Sequence, residues 1–223
     1  MKPMIAITRR VLLQRTAWAI SLGLAAGLLG RFGIPGAQAQ SPTVGTVSRF
    51  VGVVLVVSDG ASRPVQNGMA LHIGNRIVTG ETGRLEIHLA DGSVLVVGPA
   101  TEIALDRFVA PSAANAGDAL IEVIAGILRI ALDSASSWTR FEVTTRTAVA
   151  SVRSTEWVVD AKPDTTGVFV IEGRVTVVER GLKGGVILDP GFGTDVKAGE
   201  PPTPPKRWGQ KRVDDAMART TFP

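Results

Sequence analysis

The chain has 223 residues, 24 Lys plus Arg against 20 Asp plus Glu, and no cysteine. Disulfides, thiol catalysis and cysteine-based metal sites are therefore excluded, and stability must come from a hydrophobic core. Five of the basic residues and none of the acidic ones lie in the first 39 positions, so the rest carries 19 basic against 20 acidic residues. Nucleic-acid binding, which rests on a positive field, loses its main support.

The N-terminal stretch reads as an export signal. Met1 to Arg15 is basic, Ala17 to Leu29 is apolar, and Ala37-Gln38-Ala39 offers small residues at alternate positions for cleavage. The apolar run is short for a membrane span, which needs about 20 residues. Thr8-Arg9-Arg10-Val11-Leu12 resembles the twin-arginine pattern, with Arg9 and Arg10 as the paired arginines. The expectation is a signal peptide over 1–39, cleaved at Ala37 and Ala39, and a periplasmic mature protein. It meets the membrane only during export, unless the leader stays uncleaved as an anchor.

Short runs rich in Val, Ile, Leu and Thr follow from Ser48 to about Val196, separated by glycine-containing turns. Asp59-Gly60 and Asn67-Gly68 mark early turns. Arg84 to Leu89 alternates polar and apolar, as a half-buried strand does. Asp91-Gly92, which tolerates positive φ angles, predicts a two-residue hairpin turn into Ser93 to Val97. Ala110 to Asp118 reads as an exposed loop. The same grammar predicts hairpins at Ala125-Gly126, between Ala119–Ile124 and Ile127–Leu132, and at Glu172-Gly173, between Gly167–Ile171 and Arg174–Glu179. The fold class is all-β, an antiparallel sandwich or jelly-roll-like β-roll, with a β-solenoid as the alternative. The β domain spans 44–199. Residues 200–223 form a Pro-rich linker, stiffened by Pro201 to Pro205, and a basic tail whose ordinary reading is a solvated terminus.

Four segments, in order, resemble a FecR domain: Leu71 to Gly80 with Gly74-Asn75; Leu85 to Val97 with Asp91-Gly92-Ser93; Phe141 to Thr145 followed by Thr147 to Trp157; and Val168 to Val178 with Glu172-Gly173. Asn75 stands where that family usually has Asp, Ser154 where it has Gly, and Trp157 where it has Phe. The resemblance implies a periplasmic regulatory module that contacts a protein or an envelope component. Only about 16 residues precede the apolar run, too few for the sigma-binding domain of family regulators, so control of a sigma factor is not carried over.

No catalytic, cofactor-binding or metal residue is assigned. His72 and His88 have no local cluster of further ligands, and nucleophile-elbow, phosphate-loop and calcium-loop motifs are absent. Arg153, Thr155, Glu156 and Trp157 form a polar-aromatic group, readable either as a recognition edge or as a strand with Trp157 inside. Trp208 in the basic tail is a further interaction candidate. The expected function is binding or regulation without chemistry; the alternative is an envelope enzyme or carbohydrate-binding protein whose site the β fold assembles.

Overall fold

The structure, a computed structural model, describes residues 42–152 and 155–223. The leader, with Arg9, Arg10, Ala37 and Ala39, lies outside the described residues, and so do Arg153 and Ser154. Chain order gives β1 (Thr43–Val51), β2 (Val54–Ser58), β3 (Ala61–Pro64), β4 (Ala70–His72), β5 (Arg76–Thr79), β6 (Arg84–Leu89), β7 (Val94–Val97), β8 (Glu102–Val109) and β9 (Gly117–Ala131). Then come β10 (Trp138–Thr144), β11 (Ala148–Val152), β12 (Glu156–Ala161), β13 (Thr165–Glu172), β14 (Val175–Glu179), β15 (Gly185–Leu188), β16 (Phe192–Lys197), β17 (Lys206–Arg207) and the helix α1 (Gln210–Arg219).

Strand pairing sorts these into two layers. The first runs β4-β1-β6-β7-β9-β12-β13-β16-β17. The second runs β3-β2-β5-β8-β9-β10-β11-β14-β15. The strand β9 is central to both: its first half pairs with β8 and β10, its second half with β7 and β12. The sandwich expectation holds and the solenoid does not. One pair, β9 with β10, is parallel. Because β9 itself carries the chain from the second layer into the first, the return to the second layer beside its own first half runs in the same direction.

Period-two patterning sets the faces. In β6, Leu85, Ile87 and Leu89 point inward, while Arg84, Glu86 and His88 face out. The core between the layers is built from side chains such as Leu71, Ile77, Leu95, Ile103, Phe141 and Trp157. Trp157 is fully buried, so within the polar-aromatic group the inward reading of this residue is the correct one.

Two of the expected hairpins do not exist. Ala125-Gly126 is the bend within the single strand β9, where the chain leaves one layer for the other. Glu172-Gly173 joins β13 in the first layer to β14 in the second, which are not paired with each other. A glycine in a strand pattern serves a layer crossing as well as a turn, and the sequence signal is the same. Asp91-Gly92 does form a hairpin between β6 and β7, but with a three-residue loop. Leu89 N–H donates to Ser93 C=O at 2.8 Å, and Gly92 takes φ +91°, as a type I turn with a left-handed third residue requires.

The motif residues prove to be fasteners. Asp91 accepts hydrogen bonds from the Ser93 hydroxyl at 2.6 Å and from Trp138 Nε1 at 3.0 Å, tying the β6–β7 hairpin to β10. Buried Asn75 accepts the His72 N–H through Oδ1 at 3.0 Å. An amide oxygen serves that purpose as well as a carboxylate would, which accounts for the departure at 75. Thr79 donates to the Gly98 carbonyl at 2.6 Å and accepts from Thr101 N–H at 2.9 Å. Thr101 Oγ1 in turn accepts Ile127 N–H at 2.9 Å, which fixes the bend of β9.

Residues 200–223 are neither spacer nor solvated tail. Thr203 is clamped to β16: its N–H donates to the Asp195 carbonyl at 3.0 Å, and its carbonyl accepts from Thr194 Oγ1 at 2.6 Å. The strand β17 extends the first layer beside β16, and α1 follows.

Candidate interaction surface

The outer face of the first layer is crossed by a strap, Lys206 to Phe222. Trp208 stacks on Phe169 with ring centroids 5.0 Å apart, and with Ile127, Val158 and Ala216 they form a second apolar cluster outside the main core. The sheet is cut to receive it. A side chain at Gly193 would place Cβ 2.6 Å from Trp208 Cε2, and one at Gly167 would lie 3.3 Å from Trp208 Cζ2. Arg212 lies 3.5 Å over the Trp208 ring and grips Asp195 with two hydrogen bonds, at 2.9 and 2.6 Å. Arg219 holds Asp160 in the same bidentate manner at 3.1 Å. Arg84 donates to the carbonyls of Ala218 and Arg219, capping the helix end where acceptors are left over.

Asp195 links the strap to pH. The Arg212 hydrogen bonds outweigh burial and hold its carboxyl below the ordinary value of 3.8. A depressed pKa contributes stability above the unfolded-state value, and that contribution is lost as pH falls through the folded-state value. We therefore expect Asp195→Asn to lower the urea midpoint at pH 7, and the gap from the unmodified protein to shrink as pH drops below 4.

Beyond the strap the same face opens into a hollow of about 210 Å³. Its floor is Val94, Val96 and Ala131, and Phe222 closes one side with Arg49 stacked 4.2 Å above its ring. Two guanidinium–carboxylate pairs form the walls. Arg49 donates to Glu86 from Nε at 3.0 Å and from Nη2 at 2.7 Å, while Arg129 donates to Glu156 from Nε at 2.7 Å. His88 Nε2 stands 3.2 Å from Glu86. Burial pushes the Glu86 carboxyl up, but hydrogen bonds from Arg49 and Ser48 outweigh it and leave the group below the usual glutamate value. Both wall carboxylates are thus engaged as ion-pair acceptors, a poor arrangement for a proton donor. The hollow is also smaller than the 300–1,000 Å³ typical of small-molecule sites.

Of the expected interaction residues, Glu156 lies in this hollow, Trp208 belongs to the strap and packs on the same face, and Trp157 lies in the core. Arg49, Glu86, Arg129 and Phe222 went unrecognised, because they come from β1, β6, β9 and the C-terminus and converge only through strand order. The spacing of Trp208, Arg212 and Arg219, with apolar Val213 and Ala216 between them, is a visible helical signal for the strap.

On the outer face of the second layer, burial and the charge of Glu122 raise the Asp106 carboxyl above its ordinary value. It sits on an open sheet rather than in a cleft. Among the described residues no three His, Asp or Glu side chains are grouped to hold a metal ion, and no helix is long and apolar enough to cross a membrane.

Residues 75–176 match the FecR protein family. A crystal structure at 1.65 Å resolution of a candidate anti-sigma factor from Parabacteroides distasonis ATCC 8503 is similar to this chain, with a TM-score of 0.51 and 19% identity over 64% of each chain. A second crystal structure of the same description, at 2.50 Å, gives the same TM-score and identity over 64% of this chain and 63% of that one. The chain thus spans about two thirds, slightly less at 64%, of that relative's length, and at 19% identity the likeness establishes the fold alone. No curated protein matches the chain. The ordered motifs and the fasteners they form fall on or beside the stretch that matches the family, so residues 75–176 of this chain carry a FecR-type domain.

Proposed function

We propose that this protein is an exported regulatory module that acts in the periplasm by contacting another protein through the strapped face of its first layer. The observation that carries the reading is the hollow beside Glu156. It has an apolar floor, walls of Arg49–Glu86 and Arg129–Glu156 pairs, and one side formed by the end of the strap. Arginine beside apolar surface is the composition of interface centres, and ion-paired carboxylates give binding specificity rather than proton transfer. The regulatory role rests on the FecR match, and on the description of the solved relative as a candidate anti-sigma factor. The partner class proposed here is a protein of the cell envelope.

Export follows from the leader: the twin arginines Arg9 and Arg10 and the Ala37-Gln38-Ala39 site would deliver a folded module beginning at Gln40. Intact mass spectrometry of separated periplasmic and membrane fractions tests this. The expected species is soluble and starts at Gln40. A full-length species confined to the membrane would make the leader an anchor and overturn the free periplasmic module.

A further inference from the structure

Sheet edges expose unpaired backbone groups, and folded proteins protect them with charge, proline or extreme shortness. Three of the four edges here follow that rule. Strand β4 has three residues, β17 is only Lys206–Arg207, and β3 carries Arg63 and ends in Pro64. The fourth edge, β15, is Gly185-Val186-Ile187-Leu188, with neither charge nor proline, and among the described residues it pairs only with β14. Ile187 is 57% exposed there and nearby Leu182 is 42% exposed.

We propose that β15 is a self-association edge, pairing antiparallel with β15 of a second copy of this chain about a two-fold axis through Val186. The segment is complementary to itself in that register. Ile187 falls opposite the partner's Gly185, a position kept bare because a Cβ there would stand 2.3 Å from the Val177 carbonyl oxygen of β14. The large side chain of each copy thus covers the gap in the other. Lys183 of each copy is brought to the partner's Asp189. Lys183 has no ion pair among the described residues, and Asp189 stays 58% exposed while Arg174 engages its Oδ1. Isologous closure buries both edges at once and leaves no free end for further growth. A contact built on four-residue strands lies at the small end of protein interfaces, so the dimer forms at micromolar concentrations or above.

Sedimentation velocity over a concentration series of the purified protein tests the proposal. The expected result is a monomer–dimer equilibrium. Ile187→Lys places a charge on an already exposed position and should weaken it at least about tenfold, without loss of the β-sheet circular dichroism signal. The chain has no native cysteine, so register is read by disulfide trapping. Val186→Cys, on the axis, should give a covalent dimer on mild oxidation, whereas Ile187→Cys should not, because its own counterpart lies a diagonal step away. A protein that stays monomeric throughout, or a dimer indifferent to Ile187→Lys, would overturn the proposal. Equal trapping at 186 and 187 would overturn the register.

Discussion

Trp157→Ala should lower the stability of the folded protein by about 3–5 kcal/mol, read as a fall in the urea midpoint at unchanged slope. Trp157 is fully buried and ends a chain of edge-to-face aromatic contacts: Phe108 to Trp138 at 5.7 Å, Trp138 to Phe141 at 5.0 Å, and Phe141 to Trp157 at 5.8 Å. Truncation removes the whole ring and leaves a cavity beside Phe141 in the core between the layers, while the ladders to β9 and β13 hold Trp157's own strand in place. Trp157→Phe, which keeps an aromatic ring and leaves a smaller cavity, should cost less than Trp157→Ala. The indole Nε1 has no hydrogen-bond partner in its buried site. Removing an unsatisfied donor offsets part of the lost packing. The contrast separates the two parts of the side chain: an aromatic plug is needed here and the indole nitrogen is not.

Gly126→Ala should cost more than about 3 kcal/mol, because two separate penalties add. The residue has φ +91°, a conformation that costs an ordinary L-residue about 1–2 kcal/mol. Its Cβ would also lie 2.6 Å from Thr101 Cα and 2.7 Å from the Ala100 carbonyl oxygen, backbone atoms that cannot rotate away. The strand would have to shift at the point where Thr101 Oγ1 holds Ile127 N–H. Gly60→Ala separates the two terms. Gly60 also has positive φ, at +76°, but nothing lies within 4 Å of its would-be Cβ. It should show only the conformational cost of about 1–2 kcal/mol. Equal losses at both positions, in matched urea titrations, would remove the steric part of the account.

Gly126 also marks how far sequence reasoning reaches. The strands around β6 and β7 were legible, because alternation of Leu85, Ile87 and Leu89 with Arg84, Glu86 and His88 reports a face directly. The Asp91-Gly92-Ser93 turn was legible in place but not in length, since Asp-Gly suits both two- and three-residue loops. The crossings at Gly126 and Gly173 were misread as hairpins. A glycine between apolar runs announces a backbone change, and only long-range pairing decides whether the chain turns back or passes into the other layer. The strap was missed for a related reason. Pro201 to Pro205 suggests a stiff exit from the domain, yet Thr203 and Trp208 find partners on β16 and β13 that lie next to them only after folding. Of the residues lining the hollow, Glu156 stands out in the sequence by its polar-aromatic neighbours, while Arg49, Glu86 and Arg129 join it only through the strand order of the first layer.

Contact between the strapped face and a protein of the cell envelope, as proposed above, can be read directly. Photo-crosslinking in living cells tests it, with a genetically encoded crosslinking amino acid at Val94, on the floor of the hollow, and a control at Val53, 64% exposed. The expected result is one discrete heavier adduct from position 94, absent from position 53 and lost when Glu156→Arg reverses a wall of the hollow. No adduct at position 94, or one that appears equally from position 53 and survives Glu156→Arg, would contradict the assignment of this face as the contact surface.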